Sequence, residues 1–127
     1  MPKQSFFCRS DGNLQRIILE EILFLESAGN YVKFYALNYS HQVRTSLDAA
    51  LNQLPENYFV QIHRSYAVAV DYLDTISKES VTFVSVPGFE LPVSKKYYAA
   101  LQERITIIES ASSAGWLADS IKEIIWR

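Results

Sequence analysis

Polar turn signals cut the apolar sequence of this chain into short pieces, and that punctuation favours strands over long helices. Asp11-Gly12 stands between SFFCRS and NLQRIIL. Asp-Gly suits a two-residue hairpin loop because the primed turn requires φ > 0, so Ser5 to Arg9 and Leu14 to Leu19 are expected to pair. Ile22 to Glu26 is a short apolar strand, stopped by Ser27-Ala28-Gly29-Asn30. Tyr31 to Tyr39 is the most regular alternation in the chain, with Val32, Phe34 and Ala36 on one face and Tyr31, Lys33 and Tyr35 on the other. That period predicts one core face and one wet face.

Past the turn at Asn38 to Ser40, HQVRT returns as a strand, and TSLDAALNQLP changes period. Leu47, Ala50, Leu51 and Leu54 recur at helical spacing, Thr45 or Ser46 can cap the start, and Pro55 ends the segment. Tyr58 to Ile62 and Ala67 to Ile76 read as strands on either side of His63-Arg64-Ser65. Val81 to Val86 and Phe89 to Val93 read as a hairpin around Pro87-Gly88, and Ser94 to Ile105 as a short helix after VSKK. The expectation is a mainly β protein, several small antiparallel sheets with one or two short helices, over residues 1–107. Residues 108–127 add the small-residue linker SASSAG and an amphipathic C-terminal helix striped by Trp116, Leu117, Ile121, Ile124 and Ile125. That helix either packs back on the domain or makes a dimer or partner contact.

At 127 residues, 49% hydrophobic and 20% charged, the chain has the composition of one globular domain. Eight Tyr, seven Phe and frequent Val, Ile and Thr agree with strands. No apolar run is long enough to span a bilayer, and Met1-Pro2-Lys3-Gln4 leads into a polar hairpin instead of a signal-peptide core. A cytoplasmic protein without a membrane role is expected. Cys8 is alone, so it forms no internal disulfide, and no second cysteine stands near His41 or His63 to suggest zinc. The four glycines are unclustered and neither a nucleophile elbow nor an HExxH helix occurs. Glu20, Glu21 and Glu26 could be drawn as an acid/base group, but carboxylates at a strand start more often form a solvated turn. Neither catalysis nor a cofactor is expected.

The polar residues that break the apolar pattern fall at three junctions: Asn30 with Lys33, His63-Arg64-Ser65, and Ser94-Lys95-Lys96. Loops on a rigid β scaffold are where recognition is commonly built. Arg grips guanine O6 and N7 bidentately, Asn does the same for adenine, and Lys with Ser holds phosphates. The net charge of −2 is unusual for a nucleic-acid module, but local charge density decides whether a strand tip meets phosphates.

In order, FFCRSDGNLQRI, LEEILFLESAGNYVKFY, RTSLDAALNQLP, NYFVQIHRSYAV and LPVSKKYYAAL closely resemble the LytTR family of bacterial DNA-binding domains, over residues 5 to 105. The resemblance implies an elongated fold of small antiparallel sheets whose loops enter successive major grooves of double-stranded DNA at repeated promoter sites and bend it. It implies a transcription regulator related to response regulators, and the chain is expected to be a stand-alone form that pairs as a homodimer on DNA or through its apolar C-terminal helix. The DNA-binding residues it implies are Asn30, Lys33, His63, Arg64, Ser65, Ser94, Lys95 and Lys96. Asn30 would read a base and Lys33 touch a phosphate. Arg64 would read a base or phosphate, and Lys95 and Lys96 would supply charge at the third loop. Blander roles stand beside these: Asn30 as a residue tolerating a left-handed turn beside Gly29, His63 as a packing residue bonded to backbone, the two lysines as solvated surface. Two positions depart from the family pattern. Ala69 stands where an Asn is usual, and Lys95 stands at or beside a usual Arg, losing the planar fork. Ala69, the acidic balance and the apolar C-terminal helix favour one rival reading, a protein-interaction module on a LytTR scaffold that binds a regulatory partner instead of DNA. A small-molecule-binding domain has only the aromatics in its favour, and the core explains those.

Overall fold

A computed structural model describes residues 4–110. The predicted C-terminal helix and most of its linker lie outside the described residues. The chain opens with β1 (Ser5–Ser10) and β2 (Asn13–Ile18), paired from Ser5↔Ile18 to Ser10↔Asn13. Asp11 and Gly12 both take positive φ, 49° and 81°, as a type I′ hairpin requires. After a single 3-10 turn at Leu19–Glu21 come β3 (Ile22–Ala28), β4 (Tyr31–Ala36) and β5 (Ser40–Val43). Helix α1 (Leu47–Gln53) follows, and then β6 (Phe59–His63) and β7 (Tyr66–Ala69). A second 3-10 turn at Val70–Tyr72 leads to β8 (Leu73–Ile76), β9 (Ser80–Phe83), β10 (Val86–Pro92) and helix α2 (Lys95–Glu103).

Among the described residues three antiparallel sheets result: β1-β2, a central β5-β4-β3-β7-β6, and β10-β9-β8. The central sheet is covered on both faces. One face carries Ile22, Leu25, Val32, Phe34, Ala67 and Ala69 against Ile17 of β2 and Leu47 and Ala50 of α1. The other carries Phe24, Val60, Ile62 and Val68 against Val81, Phe83 and Leu91 of the third sheet and Leu101 of α2. A strand buried on both faces needs no alternation, which is why β3 opens with the unbroken apolar run Ile22-Leu23-Phe24-Leu25.

Three expectations are corrected by the second layer. The face of β4 expected to be wet is covered at Tyr35, whose ring stacks on Phe24 with centroids 4.6 Å apart. The strand expected from Ala67 to Ile76 is interrupted at Val70–Tyr72, because there the chain leaves the central sheet for the third. The Tyr72 hydroxyl donates to the Glu20 carbonyl at that crossing, and the Val84 N–H donates to the Tyr72 carbonyl. The last hairpin turns at Val84-Ser85, not at Pro87-Gly88. Its register jumps from Val86↔Phe83 to Glu90↔Thr82, leaving Pro87, Gly88 and Phe89 as a bulge. Proline, with no N–H to give the ladder, suits a bulge on an edge strand, and Gly88 supplies the φ of 84°. The bulge turns Phe89 inward, its ring 5.6 Å from Phe24 and 5.9 Å from Phe83.

Candidate nucleic-acid interface

The three polar junctions lie at one end of the central sheet and are tied by backbone hydrogen bonds. The β3–β4 loop is the pair Gly29-Asn30, the β6–β7 loop is Arg64-Ser65, and the third junction is the start of α2. Since Glu26 pairs with Tyr66, the end of β3 meets the start of β7, which sets the first two loops side by side. The Ser27 N–H donates to the Ser65 carbonyl at 2.8 Å, and the Ser94 N–H donates to the Ile62 carbonyl at 2.9 Å.

Each turn is locally explained. Gly29 takes the positive φ, 61°, and Asn30 does not, which is a II′-type arrangement in which glycine alone meets the conformational demand. Asn30 is therefore not needed for a left-handed backbone, and it is exposed. In the second loop Arg64 is exposed, and His63 and Ser65 are half-buried. His63 Nδ1 accepts the Ser65 N–H at 3.1 Å, and the Gln61 amide donates to the His63 carbonyl at 3.2 Å. A histidine accepting at Nδ1 carries its proton on Nε2, so one ring nitrogen is committed to shaping the turn that carries Arg64. At the third junction Ser94 is half-buried, and Lys95 and Lys96 are exposed in the first turn of α2. Lys33 is half-buried on β4, in register with Glu26 on one side and Gln42 on the other.

That register extends into a row across one face of the sheet: Gln42, Lys33, Glu26, Tyr66 and His63. At its centre the Glu26 carboxylate accepts from the Tyr35 hydroxyl at 2.9 Å and from the Tyr66 hydroxyl at 3.2 Å. The Tyr66 ring in turn lies 5.5 Å from the His63 ring. Desolvation first, and then the Glu26 carboxylate, push both tyrosine hydroxyls above their ordinary range, so both remain neutral donors. The other two carboxylates of the acid/base grouping have structural partners. Glu20 accepts the Gln4 N–H at 3.0 Å, and Glu21 accepts the Tyr39 hydroxyl at 2.5 Å. Desolvation and then Glu21 push the Tyr39 hydroxyl up to about 12.

Sequence reasoning missed one cation at this end. Arg44 is exposed immediately after β5, and because Val43 pairs with Val32 the strand delivers it beside Tyr31 and the Gly29-Asn30 loop. The signal was present in HQVRTS, where the strand ends before Arg44 instead of running through Thr45. The opposite end of the sheet differs in character. There Leu37 and Val84 are 59% and 65% exposed, beside a groove walled by Leu23, Phe24, Phe83, Val86 and Phe89. Among the described residues no helix is long and apolar enough to cross a membrane.

A model of the LytTr DNA-binding domain family matches residues 12–106. A response regulatory protein of Vibrio cholerae is 32% identical over 85 residues, 62% of this chain and 33% of that protein. The sensory transduction protein LytT of Bacillus subtilis is 23% identical over 91 residues, 69% of this chain and 38% of that protein. The chain thus spans about a third of the length of the curated relatives it matches. A solved LytTr DNA-binding domain from Bacillus cereus superposes with a TM-score of 0.68 at 18% identity, covering 84% of this chain and 100% of that one, which speaks for the fold.

Proposed function

This chain belongs to the LytTr family of DNA-binding domains, and on that premise we propose that it is a sequence-specific transcription regulator whose three joined turns read double-stranded DNA at repeated promoter sites. The observation that carries the reading is the joining itself. Two backbone hydrogen bonds, Ser27 to Ser65 and Ser94 to Ile62, fasten three polar loops with exposed Asn30, Arg64, Lys95 and Lys96 to one end of a rigid sheet. Preset spacing of base-reading and phosphate-holding groups is what groove recognition needs. Asn30 and Arg64 are the base readers, with geometry suited to adenine and guanine respectively. Lys33, Lys95, Lys96, Ser65 and Ser94 contact the backbone, and Arg44 joins them. His63 shapes the Arg64 turn. The action is cytoplasmic and non-catalytic, and two copies on a repeated site raise the affinity of an acidic protein.

Fluorescence-anisotropy titration with duplex DNA from the region upstream of the protein's own gene, beside scrambled DNA at two salt concentrations, tests this. Tighter binding to the upstream duplex that weakens with salt supports it. Arg64→Ala is expected to reduce that binding by about 1–3 kcal/mol and to flatten discrimination at one base pair. Equal affinity for both duplexes, untouched by the substitution, would overturn it. The rival reading, an interaction module on the same scaffold, has in its favour the apolar groove beside exposed Leu37 and Val84. Absence of binding at low salt would bring that reading forward.

A further inference from the structure

Glu26 is a puzzle on a surface meant for phosphates. It is a carboxylate in the same cross-strand row as Lys33 and His63, one residue from the Ser27 N–H that ties two recognition loops together. On electrostatics alone an anion there repels DNA and weakens binding to every sequence. Its contacts point to another role. Both carboxylate oxygens are used, Oε1 by Tyr35 on β4 and Oε2 by Tyr66 on β7, so the side chain clamps the strands on either side of β3. From Tyr66 the contact chain continues to the His63 ring at 5.5 Å, from His63 Nδ1 to the Ser65 N–H, and from the Ser65 carbonyl back to Ser27 beside Glu26. The loop of contacts closes around Arg64, the exposed residue at the tip of that turn.

We propose that Glu26 is a positioning residue for Arg64, a carboxylate strut that holds the β6–β7 turn through Tyr66 and His63 so that the guanidinium meets one base pair in a fixed geometry. The inference rests on the DNA-reading function above and concerns selectivity within it. Hydrogen bonds to an ionised acceptor are roughly twice as strong as neutral ones, and a bidentate Arg contact tolerates little angular error. The Glu26 carboxylate accepts from both tyrosines at once, one through each oxygen. A glutamine has one acceptor oxygen, so one tyrosine must let go or reverse its hydroxyl.

The sign of the effect separates the strut from a merely repelling charge. A duplex selected by the protein from a randomised pool and a scrambled duplex are titrated against the parent, Glu26→Gln, Tyr66→Phe, and each combined with Arg64→Ala. Although Glu26→Gln removes a negative charge, its affinity for the selected duplex is expected to fall about fivefold, the difference between a charge-assisted and a neutral hydrogen bond. Affinity for the scrambled duplex is expected to hold or rise. Tyr66→Phe changes no charge, leaves the ring in place and is expected to fall in the same direction. In the Arg64→Ala background both losses are expected to vanish. Tighter or unchanged binding of the selected duplex by Glu26→Gln overturns the strut. So does an equal fall on both duplexes, or a loss that adds to that of Arg64→Ala. A pool with no enriched sequence strikes the DNA-reading function itself, a different outcome from a pool that enriches while Glu26→Gln selects as sharply as the parent.

Discussion

The two helices among the described residues begin alike and are treated in opposite ways. Each follows a serine in extended conformation, Ser46 at φ −90° and ψ 159°, Ser94 at φ −95° and ψ 149°. Before α1, the Ser46 hydroxyl oxygen accepts the Ala49 N–H at 3.1 Å, and Asp48 lies in the first turn. Both features offset the orphan donors and partial positive charge of a helix start. Before α2, Ser94 makes no side-chain cap, the first turn holds no acid, and it holds Lys95 and Lys96 instead. Cations at a helix N-terminus work against the macrodipole. What holds α2 is its other end, where Leu101 is fully buried and the Arg104 guanidinium donates to the carbonyls of Glu56 at 2.8 Å and Phe59 at 3.3 Å. One helix start is built to be stable. The other lacks that cap and holds two exposed cations beside the Arg64 turn, an arrangement that, on the function proposed above, suits an incoming phosphate.

Removing the cations tests whether the start of α2 meets phosphates. Replacing Lys95 and Lys96 together by Gln is expected to lower affinity for selected and scrambled duplexes alike. The slope of log affinity against log salt should shrink by about two units, one per phosphate contact. An unchanged slope would leave the lysines as ordinary surface. Removing the cap at the other helix is the complementary experiment. Ser46→Ala is expected to destabilise the domain by about 1 kcal/mol, a fall in Tm of about 4–8 °C for a domain near this size, with DNA affinity unchanged at temperatures where the variant is folded.

The same contrast explains which parts of the molecule were legible. Features set by local chemistry were readable: the Asp11-Gly12 turn, the helix between Ser46 and Pro55, and the alternation of Val32 and Phe34. Features that depend on a second layer were not. Pro87-Gly88 signals a turn or a bulge with equal local logic, and only the packing of Phe89 against Phe24 and Phe83 decides for the bulge. Ala67 to Ile76 has strand composition throughout, but the chain changes sheets at Val70–Tyr72. Tyr35 alternates as a solvent-facing residue, and its stacking on Phe24 depends on which sheet lies above it. In the candidate site, the three polar junctions stood out because they interrupt apolar runs. Their mutual fastening did not, since Ser27 to Ser65 and Ser94 to Ile62 are distant in sequence. Arg44 was not legible because HQVRT has strand composition through Thr45, whereas β5 ends at Val43.

The same substitution at the second serine separates a capping hydroxyl from one that caps nothing. Ser94→Ala removes a hydroxyl that caps nothing in the structure, so the folded state loses no intramolecular hydrogen bond at that position. The expected change in unfolding free energy is within about 0.5 kcal/mol, against about 1 kcal/mol for Ser46→Ala, read by urea denaturation of both variants under one condition. The backbone tie survives, because the bond to Ile62 comes from the Ser94 N–H, which alanine retains. DNA binding is expected to weaken by the loss of one neutral hydroxyl contact, similarly for all sequences, and without the change in salt slope that the lysines produce. A loss of stability equal to that of Ser46→Ala would mean that Ser94 caps α2 in solution. The two helix starts would then differ only in charge, and Lys95 and Lys96 alone would distinguish the recognition end from the structural one.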